Sequence, residues 1–140
     1  MTALGLALIS LTASAQMSPV GLWRNIDDKT GEVKAEIRIV DNNGAMFGRI
    51  EKILAKKAKP GELCVECSDD RKDKPMEGLE IIRGAKKSKD GDVWEDGKIL
   101  DPENGREYRL RLTPVEGGRK LEVRGSFGPF GRTQTWVRVN

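Results

Sequence analysis

The feature that most restricts this chain is strict two-residue alternation. In Ala35-Glu36-Ile37-Arg38-Ile39 the apolar residues fall on one face and the charges on the other. Tyr108-Arg109-Leu110-Arg111-Leu112 repeats the pattern, as does Leu121-Glu122-Val123-Arg124-Gly125-Ser126-Phe127. Near the end, Thr133, Thr135, Val137 and Val139 share a face opposite Gln134, Trp136 and Arg138. Successive side chains of a strand point to opposite faces, so this period excludes an amphipathic helix, which repeats every ~3.6 residues. Residues 20–26, 45–54, 79–84 and 93–100 are less regular candidates, which brings the expectation to about eight strands.

Turn chemistry separates these segments. Asp27-Asp28-Lys29-Thr30-Gly31, Asp41-Asn42-Asn43-Gly44, Asp90-Gly91, Asp101-Pro102-Glu103-Asn104-Gly105 and Glu116-Gly117-Gly118 are hairpin-loop compositions. Asn and Gly tolerate positive φ, and Pro fixes φ near about −65°. Short, regular spacing predicts an all-β antiparallel meander rather than alternating β and α units. One apolar and one charged face per strand suit a sheet closed on itself in water. About eight strands close an up-and-down β-barrel with room for packed side chains or one small ligand. The charged outer face argues against an outer-membrane barrel, whose exterior is apolar.

At 140 residues the chain supports one domain. It contains no histidine, which removes the Ser-His-Asp triad, the Cys-His dyad and the imidazole zinc site. The reading is accordingly no catalytic residues, no metal, no cofactor and no enzyme. The 25 Lys+Arg and 22 Asp+Glu leave a net charge of +3, which neither demands nor excludes a polyanionic partner. With few aromatics and the cations mixed among acids, nucleic acid is not an expected partner.

Residues 1–15 carry no charge. Ala3 to Leu11 is almost entirely apolar and Ala13-Ser14-Ala15 follows. That reads as a signal peptide cleaved near Ala15, leaving residues 16–140 as a single domain in the periplasm or outside the cell. The apolar run is shorter than the ~20 residues a membrane-spanning helix needs.

Ala55 to Glu77 breaks the meander. It is polar, Lys-rich and long, and it holds both cysteines, Cys64 and Cys67. In an exported protein the pair reads as a short-range disulfide, ahead of a metal half-site shared with a partner or a redox couple. The loop is long enough to cover or border the open mouth of a barrel, held in shape by the cysteine link. A small ligand with an apolar body and an anionic head could then set the body among Tyr108, Leu110 and Phe127 and the head near Lys56 and Lys57.

Gly21-Leu22-Trp23 resembles the G-x-W that lipocalin-type barrels carry on their first strand, with an arginine of the last strand stacked across the indole. Arg138 is the candidate, with Arg132 second. Several further stretches carry a fuller resemblance. They are Gly21-Leu22-Trp23-Arg24, Ile50-Glu51-Lys52, the Cys64-x-x-Cys67 loop through Arg71-Lys72, and Gly78-Leu79, followed by Lys98 to Gly105 and Gly128 to Trp136. Together they resemble DUF2147, a family of small exported bacterial proteins. The resemblance implies a lipocalin-like barrel in a Gram-negative bacterium and brings no catalytic residues. The functional expectation is a small, partly apolar ligand inside the barrel. Its rival is a non-catalytic envelope interaction or stress scaffold with a filled barrel.

Overall fold

The computed structural model describes residues 17–140, together with Thr2 and Gly5. The expected signal peptide, apart from those two residues, lies outside the described residues. Eight strands follow one another: β1 (Gly21–Ile26), β2 (Val33–Asn42), β3 (Ala45–Ile53), β4 (Glu80–Lys87), β5 (Trp94–Asp101), β6 (Arg106–Val115), β7 (Lys120–Phe127) and β8 (Phe130–Arg138). Each pairs antiparallel with the next, and β1 pairs with β8, so the sheet closes into a barrel. Among the described residues the only helical element is one short 3-10 turn, Glu116–Gly118.

Alternation sets which side chains enter. Ala35, Ile37 and Ile39 of β2, Met46 and Ile50 of β3, Leu110 and Leu112 of β6, Leu121 and Val123 of β7 and Trp136 of β8 are buried. Residues between them, such as Glu51, Arg109, Arg111 and Arg124, are exposed. The hairpin between β7 and β8 has two central residues, Gly128 and Pro129. Gly128 stands at φ 56°, and proline follows with its fixed negative φ, the pattern of a tight hairpin turn. In β5 a bulge falls at Asp96, with φ 62°, between the Trp94–Leu112 and Gly97–Leu110 pairs. Glu95 and Asp96 therefore sit within a strand, as the candidate over residues 93–100 implies. The bulge lets Trp94 and Gly97 both face inward.

The β1–β2, β3–β4, β5–β6 and β7–β8 connections share one end of the barrel. The chain termini and the β2–β3, β4–β5 and β6–β7 connections share the other.

Candidate functional site

The terminal end is sealed. Trp23 is 0% exposed, and its Nε1 donates to the Pro19 carbonyl at 2.7 Å. The Arg138 guanidinium lies 4.2 Å from the centre of the Trp23 ring. Its nitrogens donate to the carbonyls of Ser18, Val20 and Gly118 at 2.6–2.7 Å. One arginine thus ties the incoming chain, β1 and the β6–β7 turn together beneath the indole. Burial lowers the Arg138 pKa, and the ring face and carbonyls supply partial negative charge in place of water. Arg132 is not part of this group. It lies on the same face of β8 near the opposite end, where its Nη2 meets Asp28 Oδ1 at 2.6 Å.

Above the seal the barrel is filled. A cavity that could admit a ligand would leave free surface on the side chains lining it. Trp23, Ile39, Ile82, Leu112 and Leu121 are each 0% exposed. Leu110, expected to contact a ligand, is part of this packed core and only 1% exposed. At the open end Tyr108 and Ile99 are half-buried, and Gly125 on the neighbouring strand lies close beside them. A Cβ at Gly125 would meet Tyr108 Cβ at 3.4 Å and Ile99 Cγ2 at 3.6 Å.

The remaining expected ligand contacts lie elsewhere. Phe127 is 74% exposed, beside Phe130 at 77%, on the tip of the β7–β8 hairpin. It is in phase with the inward residues Leu121 and Val123, but it stands at the last position of β7, beside the hairpin turn. Lys56 lines an outer cleft of about 440 Å³ with Arg24, Glu32 and Leu54, and its backbone N–H donates to Glu32 Oε1. Lys57 is exposed on the same stretch.

The long loop lies against the outside of the wall and borders the mouth at the β5–β6 turn, where Cys64 Sγ is 3.7 Å from the Pro102 carbonyl oxygen. Cys64 and Cys67 are disulfide-linked, with Cα atoms 5.5 Å apart, and both are buried. Beneath the loop lie Ile81 and Leu100, which stand next to the inward pair Ile82 and Ile99 and so face outward, yet are 5% and 4% exposed. Arg71 anchors the loop at 3% exposure. It bonds Asp69 through Nε at 3.0 Å and Nη2 at 2.5 Å, the Glu80 carbonyl through Nη1 at 2.9 Å, and Glu107 Oε2 at 3.3 Å. Arg83 on β4 grips Asp70 with both terminal nitrogens at 3.1 and 2.9 Å. Neither arginine anchor was singled out in the sequence reading. Their one legible sign was the pairing of Asp69-Asp70-Arg71 with a cysteine loop.

These contacts carry a pH prediction. Hydrogen bonds from Arg71 hold the Asp69 carboxyl well below the usual carboxylate range, and hydrogen bonds from Arg83 lower Asp70. The unfolded chain, with ordinary carboxyls near about 3.9, binds protons first as pH falls. The stabilisation is therefore complete above that value and is lost as pH drops toward the depressed folded values. Melting temperature should fall steeply below about pH 4, and Asp69→Asn should lower stability at neutral pH while flattening that acid slope. An unchanged slope in the variant would remove Asp69 from the account.

The fold and its sealed base define a lipocalin-like barrel. It superposes on the Helicobacter pylori protein HP1028, described as belonging to the lipocalin family, with a TM-score of 0.74. The match covers 89% of this chain and 85% of that one at 17% identity, a likeness of fold. A search of curated proteins finds no match. The sequence profile described as "Uncharacterized protein conserved in bacteria (DUF2147)" matches residues 21–138, and the chain belongs to that family.

Proposed function

We propose that this is an exported, non-catalytic binding protein that holds a small, partly apolar molecule at the open end of its barrel. The observation that carries this reading is the half-buried pair Tyr108 and Ile99 at the open end of a lipocalin-like barrel whose lower core is packed. A ligand there contacts apolar atoms below and the Tyr108 hydroxyl near Asn104 Nδ2 at the rim. It rests on the core instead of entering it, so binding is shallow and exchange is fast. Export agrees with a leader-like first segment and with the disulfide. Among the described residues no cluster of His, Cys, Asp or Glu could hold a metal.

The filled lower barrel favours a second reading, an interaction protein of the cell envelope that carries no small molecule. One experiment separates the two. Native mass spectrometry of protein purified from its own periplasm, followed by titration with the apolar dye phenylnaphthylamine, reads occupancy directly. The first reading expects a bound mass or a saturable fluorescence rise that Gly125→Val lowers by crowding Tyr108 and Ile99. Absence of both in the folded protein selects the second.

A further inference from the structure

The barrel register assembles a cationic face that is scattered in the sequence. On the outer wall, Arg83 of β4 stands opposite Lys98 of β5, and Lys98 stands opposite Arg109 of β6. Next to this row, Arg111 of β6 stands opposite Arg124 of β7. Lys98, Arg109, Arg111 and Arg124 are all exposed. Like charges placed directly opposite on one sheet face destabilise the pairing, so three such pairs side by side ask for a reason.

Compensation within the chain is partial. Arg83 is held by Asp70 and Glu80, and Arg111 reaches Glu95 at 3.7 Å. Arg124 Nη1 donates to the Thr133 hydroxyl. Among the described residues Lys98 and Arg109 have no carboxylate partner. Glu107, on the same face, is taken by Arg71. The open-end edge of this patch carries the exposed Phe127 and Phe130, and Arg109 pairs in register with Ser126, the neighbour of Phe127.

We propose that this wall and the phenylalanine tip form a docking surface for an anionic lipid bilayer. Each half supplies one part of interfacial binding. Cations held near a negatively charged leaflet are attracted through its surface potential, and exposed aromatic rings enter the boundary between headgroups and acyl chains. A soluble acidic partner would use the charges but leave the two phenylalanines in water. The β7–β8 tip lies at the open end, so the docked orientation turns the mouth of the barrel toward the lipid. This inference stands on the outer wall and does not depend on a ligand at the mouth.

The test is sedimentation of the mature protein with phosphatidylcholine vesicles and with vesicles containing phosphatidylglycerol. Binding is expected only to the anionic vesicles and is released by high salt, which shortens the screening length to about 3 Å at 1 M. Replacing Lys98, Arg109 and Arg124 together by Gln should weaken it about a hundredfold, each cation near the surface contributing roughly fivefold. The same variant should melt at or above the temperature of the parent, because repulsion has been removed. Lys98→Gln alone gives the test at about fivefold should the triple variant fail to fold. Phe127→Ser with Phe130→Ser should lower affinity and leave the salt dependence. Equal binding to both kinds of vesicle, binding to neither, or undiminished binding by the glutamine variants would overturn the proposal. Capture by soluble polyglutamate without vesicle binding would overturn the choice of lipid.

Discussion

Arg71→Ala should destabilise the protein by about 2–4 kcal/mol, somewhat below the ~3–5 kcal/mol for breaking a fully buried ion pair. The guanidinium is buried, but Asp69 and Glu107 are a little over a third exposed and regain some hydration when it is removed. The Glu80 carbonyl loses its donor as well. Packing contributes too, since the arginine stem lies in the layer that covers Ile81 and Leu100. For a domain of this size the melting temperature should fall by roughly 10 °C or more. Arg71→Lys should recover only part of the loss, because one ammonium cannot reproduce a planar fork on Asp69 and reach a carbonyl and a second carboxylate. The disulfide closes only residues 64–67 in either variant and does not tie the rest of the loop to the wall. Limited proteolysis is expected to cut within residues 55–77 before the barrel. A variant that melts with the parent would mean that the apolar layer alone holds the loop.

Trp23→Ala should cost about 3–5 kcal/mol, the range for deleting a large buried aromatic side chain. Three losses coincide. The indole leaves a cavity at the floor of the core, its hydrogen bond to Pro19 is lost, and Arg138 loses the ring it covers. Trp23→Phe separates them, since it keeps a ring for the guanidinium while removing the N–H. It should cost about 1–3 kcal/mol, the penalty for a buried acceptor left without its donor plus a smaller volume loss. Thermal or denaturant unfolding of both variants checks the order. If Trp23→Ala melts with the parent, the base does not seal the barrel.

The strands were legible because their signal is local. Ala35 to Ile39, Tyr108 to Leu112 and Leu121 to Val123 alternate within a few residues, and the glycines between them mark chain reversals that take a positive φ. The Trp23–Arg138 contact was legible for a different reason. The resemblance to the lipocalin G-x-W implied an arginine of the last strand, Arg138 or Arg132, and the structure sets Arg138 over the indole. Leu110 read as ligand-lining because sequence distinguishes an inward face from an outward one but not a hollow barrel from a filled one. That depends on whether the side chains of several strands meet across the centre, and here Trp23 and Trp136 help fill the space.

Residues 55–77 show the limit from the other side. Their composition announces a loop, yet its docking place depends on Arg71 finding Glu80 and Glu107 on two different strands. Ile81 and Leu100 are outward residues made into core by that docking. Phe127 is an inward residue by phase that is exposed at the end of its strand. The opposed cations of β4 to β7 follow from register alone, set by the bulges and turn lengths of four strands. Sequence by itself determined the period, the turns, the closing strands and the cysteine loop, because each is written in neighbouring residues or in the order of the strands. Tertiary structure alone decided that the barrel is packed below its mouth, where the loop lies and which charges face each other, because those are properties of residues brought together from distant parts of the chain.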